Sequence, residues 1–162
     1  MRAVLCGANG AMGKLIDGQL PQEVAGRVSL DGENGVARTF AQLGPVEADV
    51  VMDFSHHSAI SDVLAYAKGI GAAAVIGTTG HTEAEKAEIL AASQEIPVFY
   101  SGNMSLGIAV LCRLAQQAAA AFPDADIEIV EVHHNRKVDA PSGTARMLFE
   151  AIRKVRPQAV AH

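Results

Sequence analysis

The stretch at residues 133–144 has the residue types and the spacing that proton transfer and anion binding require. It places two imidazoles and two cations within five positions, namely His133, His134, Arg136 and Lys137. Histidine titrates near neutral pH and can donate or accept a proton, while lysine and arginine attract carboxylates. A helix-prone segment starts at Ser142, Gly143 and Thr144, and the free N–H groups of this start would bind a second carboxylate. The stretch predicts a site that binds and protonates a small carboxylate or, read alone, a basic solvated loop that Ser142 caps.

A glycine pattern at residues 7–13 is the second stretch that could form part of a binding site. It follows an apolar run and opens a helix-prone segment, as phosphate-binding loops do in dinucleotide-binding proteins. Gly10 would let the backbone approach a pyrophosphate, and Gly13 would let the helix pack tightly against the strand. The pattern departs from strict GxGxxG because its first glycine lies one residue earlier, so a tight turn without a ligand is the alternative.

Asp31 lies eighteen residues after Gly13, at the end of a predicted second strand. An acidic group there would accept hydrogen bonds from the adenosine ribose hydroxyls, which favours NADH. A 2′-phosphate would need a nearby cation, and Arg38 is the nearest candidate. A turn-capping aspartate is the alternative for Asp31. The sequence therefore favours NADH and leaves NADPH open.

The loops after the middle strands also carry polar groups. The turn at residues 77–80 has small hydroxyl residues between glycines, which leave room for a flat ring. After the next strand, Asn103 could hydrogen-bond a carboxamide and Met104 could pack on an aromatic face. An ordinary turn is the alternative for both loops. His56 and His57, near Asp53 and Ser55, are interpreted as solvated loop residues, because adjacent histidines without a nearby partner make a poor metal site.

Apolar runs alternate with helix-prone segments along the chain. Strands are predicted at residues 3–6, 27–31, 49–54, 73–76, 97–100 and 126–132, and helices at 11–20, 58–68, 82–93 and 108–122. Thr82 and Glu85 have the spacing of a capping box at the start of the third of these helices. This alternation predicts an α/β fold with a Rossmann-type doubly wound parallel sheet, in which ligands bind beyond the carboxyl ends of the strands. We expect a dinucleotide-binding domain at residues 1–125 and the start of an α+β substrate and oligomerisation domain at 126–162.

Composition excludes several classes of protein. The net charge of −5 over 162 residues argues against a general nucleic-acid role. Cys6 and Cys112 lie far apart in apolar contexts, so reduced thiols and no metal site are expected. No apolar run is long enough to span a bilayer, and no leader is recognised, so a cytoplasmic protein without a membrane partner is expected.

The segment at residues 131–144 closely resembles the signature of the 4-hydroxy-tetrahydrodipicolinate reductases, also called dihydrodipicolinate reductases. Four other segments are similar to the same family in the same order, and the resemblance covers essentially the whole chain. They are residues 7–13 with Met12, 51–55, 75–80 and 103–107. The resemblance implies a cytoplasmic oxidoreductase that reduces 4-hydroxy-tetrahydrodipicolinate to tetrahydrodipicolinate with NADH or NADPH, in diaminopimelate and lysine biosynthesis.

The resemblance also implies roles for individual residues. His133 matches the family's proton donor and acceptor, and Lys137 its second catalytic residue. The substrate-binding positions correspond to His134, Gly143 and Thr144. The pyrophosphate would be held by Gly7, Ala8, Asn9, Gly10, Ala11 and Met12, and the adenosine ribose by Asp31. The nicotinamide would be lined by Gly77, Thr78, Thr79, Ser101, Gly102, Asn103 and Met104.

The chain departs from the family pattern in two respects. Asn135 and Arg136 stand where the family commonly has arginine followed by histidine or phenylalanine, so a positive charge is moved by one place. Family members also continue past the histidine-lysine loop through a domain that builds a homotetramer, whereas this sequence stops at His162. A catalytically incompetent nucleotide-binding fragment is therefore the alternative, and another small Rossmann reductase acting on an amino-acid-derived carbonyl is a third.

Overall fold

The structure is a computed structural model that describes residues 1–133, 135 and 140–160. The chain forms two compact units, Met1–Ser101 and Gly102–His162. Strands of the first unit are β1 (Ala3–Cys6), β2 (Val24–Val28), β3 (Val50–Asp53), β4 (Ala73–Ile76) and β5 (Val98–Tyr100). Its helices are α1 (Ala11–Gln19), α2 (Phe40–Leu43), α3 (Ile60–Ile70) and α4 (Glu83–Ala92), with 3-10 turns at Glu33–Gly35 and His57–Ala59. The second unit contains α5 (Leu106–Ala121) and α6 (Gly143–Arg153).

The five strands form one parallel sheet in the order β2-β1-β3-β4-β5. The predicted Rossmann-type α/β sheet is therefore confirmed. The chain leaves β1 toward one edge of the sheet and returns to build β3, β4 and β5 on the other side of β1. Ligands of such sheets bind where the strand order reverses, beyond the carboxyl ends of the strands. In this unit that place is the end of β1 and β3.

Side chains of β1 alternate between two apolar clusters. Val4 and Cys6 belong to a cluster that includes Val51 and Val63, whereas Leu5 belongs to a second cluster with Val24. Successive side chains of a strand point to opposite faces, so the two clusters lie on opposite faces of the sheet. Burial on both faces explains why the strands read as continuous apolar runs.

Two features of the first unit differ from, or refine, the sequence prediction. The second strand runs from Val24 to Val28 rather than over residues 27–31, because the Ser29 N–H turns to the Ala37 carbonyl and Gly32 follows in the left-handed region at φ 62°. Asp31 therefore lies three residues beyond the strand. The capping box predicted at the start of α4 is confirmed, with Thr82 and Glu85 satisfying each other's backbone N–H groups.

The second unit lacks one predicted element. Residues 126–132 form no strand, and Val130 and Val132 are 84% and 92% exposed. A strand needs a neighbour for its N–H and C=O groups, and no other described segment of this unit is extended and paired with it. The predicted sixth strand is therefore wrong for the described residues. The first compact unit ends at Ser101. The boundary expected at residue 125 is that of the nucleotide-binding domain, and it stays a prediction.

Candidate functional site

The turn between β1 and α1 is built so tightly that two of its glycines admit no side chain. Gly7 has φ 79°, and a Cβ there would lie 2.3 Å from the Phe54 carbonyl oxygen. A Cβ on Gly13 would lie 2.2 Å from the Gly7 carbonyl oxygen. The Gly10 N–H donates to that same oxygen at 3.0 Å, and Gly10 then begins α1 as a cap without a side chain. The N–H groups at the start of α1 therefore lie close to the end of β1 with no glycine side chain in the way, as a pyrophosphate site requires.

Asp31 is held beside this turn by the glycine loop itself. The side-chain amide of Asn9 donates to Asp31 Oδ1 at 2.5 Å and also to the Glu33 carbonyl at 3.3 Å. The hydrogen bond from Asn9 lowers the pKa of Asp31, so this carboxyl is ionised at neutral pH. Arg38 also contacts this residue, because its Nη2 donates to the Asp31 carbonyl at 3.2 Å. The predicted ribose residue and the predicted 2′-phosphate candidate thus lie together.

The loops after β3 and β4 are locked to each other. The Ser55 N–H donates to Thr78 Oγ1 at 2.9 Å, and the Ser55 hydroxyl donates to the fully buried Asp53 at 2.5 Å. Gly77 lies against the Phe54 ring, because a Cβ there would fall 2.2 Å from Phe54 Cε1. Thr78 is buried and Thr79 is exposed. Two of the predicted nicotinamide residues, Gly77 and Thr78, are therefore fixed by the neighbouring strand end.

A histidine cluster next to these loops was missed by sequence reasoning. His57 Nδ1 lies 2.9 Å from Glu85 Oε1, so the interpretation of His57 as a solvated residue is wrong, although His56 is exposed. The hydrogen bond from His57, followed by that from the Thr82 N–H, lowers the pKa of Glu85 to about 2. His81 is buried, with Nδ1 at 3.2 Å from the Tyr100 hydroxyl, and burial lowers its pKa. The partners are 28 and 19 residues apart, so no local pattern signals either pair.

The second unit brings together residues predicted for different parts of the site. Asn103 Oδ1 accepts from the Ser105 N–H at the start of α5, and Asn103 Nδ2 donates to Thr144 Oγ1 in the first turn of α6, both at 2.9 Å. A predicted nicotinamide residue thus contacts a predicted substrate residue. Gly102 and the half-exposed Met104 flank Asn103, and Gly143 is the first residue of α6.

A carboxylate connects His133 to the start of α6. Glu131 Oε1 accepts the Ser142 N–H at 2.8 Å, and Glu131 Oε2 accepts the Ser142 hydroxyl. The same Oε2 lies 3.6 Å from His133 Nδ1. Ser142 in turn caps α6 through Ala145. The remaining predicted residues of this loop, His134, Arg136 and Lys137, lie outside the described residues.

Two family descriptions match the chain. "Dihydrodipicolinate reductase, N-terminus" covers residues 1–104, and "Dihydrodipicolinate reductase, C-terminus" covers residues 107–161. The chain belongs to the dihydrodipicolinate reductase family. The family resemblance predicted from the five ordered motifs is therefore confirmed, and the two matches meet between β5 and α5.

Curated relatives in this family carry the name 4-hydroxy-tetrahydrodipicolinate reductase. The protein of Caldanaerobacter subterraneus subsp. tengcongensis is 44% identical over 98% of this chain and 65% of its own length. That of Alkaliphilus oremlandii is also 44% identical, over 95% of this chain and 63% of its own. A Campylobacter jejuni relative is 42% identical over 93% and 61%. The chain thus spans a little under two thirds of the length of these relatives.

A solved structure supports the fold. The dipicolinate-bound dihydrodipicolinate reductase from Paenisporosarcina sp. TG-14 aligns with a TM-score of 0.75 and 24% sequence identity, over 100% of this chain and 69% of that one. At this identity the likeness concerns the fold alone. Among the residues that the structure describes, no helix has the length and apolar character needed to cross a membrane.

Proposed function

We propose that this chain supplies the cofactor site and part of the substrate site of a reductase that converts 4-hydroxy-tetrahydrodipicolinate to tetrahydrodipicolinate with NADH or NADPH. The observation that carries the proposal is the hydrogen bond between Asn103 and Thr144. The family resemblance assigns Asn103 to the nicotinamide and Thr144 to the substrate, and a reductase must hold its two reactants in contact. The names of the curated relatives agree with this reaction.

The glycine loop supports dinucleotide binding by its fit. A pyrophosphate on α1 would meet backbone N–H groups, with Gly7 and Gly13 keeping side chains away. The residues proposed to hold it are Gly7, Ala8, Asn9, Gly10, Ala11 and Met12. Bound NADH or NADPH would supply a hydride to the unsaturated ring of the substrate. Gly77, Thr78, Thr79 and the segment from Ser101 to Met104 are proposed to orient the nicotinamide.

The charge at residue 31 supports a preference for NADH. An ionised Asp31 would accept hydrogen bonds from the ribose hydroxyls and would repel a 2′-phosphate. Arg38, bonded to the Asp31 carbonyl, provides a cation for NADPH. Asp31→Ser should therefore lower the Kd ratio of NADPH to NADH, and Arg38→Ala should raise it. An unchanged ratio in both variants, measured by nucleotide fluorescence titration, would exclude this loop from cofactor selection.

The substrate site is proposed around the start of α6. Gly143 and Thr144 would offer N–H groups to one carboxylate of the substrate, while His134 and Lys137 would hold the other. Replacing the 4-hydroxyl group by hydride consumes one proton and releases water. His133 would supply that proton, because its Nδ1 lies 3.6 Å from the Glu131 carboxylate that binds the start of α6. The dipicolinate bound to the aligned reductase is a planar dicarboxylate, which agrees with this ligand class.

The decisive test is NADH oxidation by the purified chain of verified mass, with substrate generated freshly by a coupled synthase. We expect turnover in the wild type and a kcat about 100-fold lower in His133→Ala, with the Kd of NADH unchanged. Equal losses in kcat and NADH affinity would make His133 a structural residue. Lys137→Ala should weaken substrate binding or turnover, and unchanged kinetics would remove Lys137 from the site.

A nucleotide-binding piece without activity is the second candidate. It is favoured by the exposed valines at positions 130 and 132, beside the proposed proton donor. NADH binding without turnover would support it, and turnover would exclude it. The family-type homotetramer and the cytoplasmic location stay predictions, and light scattering of the purified chain tests the first of them.

A further inference from the structure

Glu131 contacts both the start of α6 and the His133 ring. Its Oε1 accepts the Ser142 backbone N–H at 2.8 Å, and its Oε2 accepts the Ser142 hydroxyl. Oε2 also lies 3.6 Å from His133 Nδ1, at ion-pair distance. Ser142 is buried, and the Glu131 side chain is 28% exposed. Among the described residues, this carboxylate therefore accepts two hydrogen bonds from Ser142 and lies at ion-pair distance from the His133 ring.

The direction of these hydrogen bonds is fixed by the helix. The Ala145 N–H donates to Ser142 Oγ at 3.0 Å, so the Ser142 hydroxyl directs its own proton toward Glu131. The Ser142 backbone N–H can only donate. Glu131 therefore accepts through both oxygens. Its two hydrogen bonds from Ser142, the buried N-cap of α6, restrict its side chain to one orientation.

We propose that Glu131 is a positioning residue for His133: its carboxylate keeps the proton of the neutral ring on Nδ1 and leaves Nε2 to exchange a proton with the substrate. The role in reduction rests on the proposed function, whereas the control of the ring does not. A negative oxygen favours a proton on the ring nitrogen that faces it, and the group near one nitrogen decides the chemistry of the other. Donation from Nε2 requires the doubly protonated ring, and release of that proton returns the ring to its Nδ1–H tautomer.

Glu131→Gln turns this inference into a definite expectation. Because the Ser142 N–H needs an acceptor, the amide oxygen of Gln must take the place of Oε1. The amide NH2 then takes the place of Oε2 and presents a donor to His133 Nδ1. A donor opposite Nδ1 favours an unprotonated Nδ1, so the neutral ring should change from the Nδ1–H to the Nε2–H tautomer.

The test is 15N NMR of the imidazole rings in the full chain, at a pH where His133 is neutral, with its signals assigned by His133→Asn. We expect the Nδ1–H tautomer in the wild type and Nε2–H in Glu131→Gln. Glu128→Gln, on the same exposed segment, is the matched control and should leave the tautomer unchanged. Ser142→Ala keeps the backbone hydrogen bond and should keep the wild-type tautomer.

Several outcomes would overturn the proposal. An Nε2–H tautomer in the wild type does so without any variant, which covers the case in which Glu131→Gln fails to fold. An unchanged tautomer in a folded Glu131→Gln shows that the carboxylate does not control the ring.

Kinetics separate this inference from the proposed function. In an active chain, Glu131→Gln should lower kcat about 10- to 100-fold with the KM of NADH unchanged, and Glu131→Asp should restore part of the loss. A reversed tautomer with an undiminished kcat would overturn the role of Glu131 in reduction and would count against His133 as the proton donor. In a chain without turnover, the tautomer measurement still decides whether Glu131 positions the ring.

Discussion

Gly13 and Gly18 lie in the same helix but differ in the space around them, which makes them a matched pair. A Cβ on Gly13 would lie 2.2 Å from the Gly7 carbonyl oxygen and 2.7 Å from both Cα and O of Ala8. All three atoms belong to the backbone, so no side-chain rotation relieves the contact. Around Gly18, no atom of the described residues beyond its chain neighbours and the adjacent backbone of its own helix lies within 4 Å of the added carbon. Alanine at the two positions therefore differs in steric cost alone.

The expected free energies of unfolding follow from these contacts. Replacing glycine by alanine in a helix stabilises by about 0.5–1 kcal/mol when nothing clashes, so Gly18→Ala should be slightly more stable than the wild type. At Gly13 the overlap forces α1 about 1 Å away from the turn, since unbonded heavy atoms prefer about 3.5 Å. Overpacking of this kind costs about 1–3 kcal/mol, occasionally more, and should exceed the gain in helix propensity.

Urea unfolding followed by circular dichroism at 25 °C measures both variants against the wild type. We expect Gly13→Ala to be less stable than Gly18→Ala by about 1–3 kcal/mol, with equal m-values. Gly13→Ala should also weaken NADH binding, because the displaced helix moves its N–H groups, while Gly18→Ala should not. Equal stability of the two variants would refute the close approach of α1 to the Gly7 carbonyl.

Three further outcomes are expected. Because the hydrogen bond from His57 lowers the pKa of Glu85 from its ordinary 4.5 to about 2, the stability that Glu85 contributes is complete above pH 4.5 and is lost as the pH falls toward 2. The difference in urea midpoint between wild type and Glu85→Gln should therefore shrink over that range, and a constant difference would contradict the pair. Burial raises the pKa of Cys6 to about 12, so mass spectrometry after iodoacetamide treatment at pH 8 should find Cys6 unlabelled in the folded chain and labelled in urea. Thr82→Ala removes the cap of α4 and should cost about 1 kcal/mol in urea unfolding, whereas no loss would mean that Glu85 alone secures the helix start.

The sequence predicted the elements whose signals are local. β1 and β4 were placed at their observed limits because each is an apolar run ended by glycine. The start of α4 was predicted because a capping box needs only residues three positions apart. The second strand was predicted three residues too late. It ends where the Ser29 N–H donates to the Ala37 carbonyl, and Ala37 lies outside the short stretch of sequence from which a strand is predicted. Residues 126–132 have the composition of a strand, yet composition supplies no neighbour to pair with.

The same division holds for the candidate site. The glycine loop, Asp31 and the residues near His133 were predicted as site residues from residue type, order and family resemblance, and their roles stay predictions. The hydrogen bond of Asn9 to Asp31 joins residues 22 positions apart, and that of Asn103 to Thr144 joins residues 41 apart. Neither pair can be predicted from a single sequence, because no local pattern shows which residues far apart in the chain become neighbours on folding.

Type, order and local spacing were thus enough to determine the fold class and the family and to predict which residues could do chemistry. They act through backbone sterics, hydrophobic periodicity and caps, which operate over a few neighbouring positions. Only the tertiary structure decided which carboxylate faces His57 and which one binds the start of α6: Glu85 lies against His57, and Glu131 accepts the N–H of Ser142, 11 residues further along the chain. Electrostatic energy depends on distances of a few ångströms between side chains, and folding alone sets those distances.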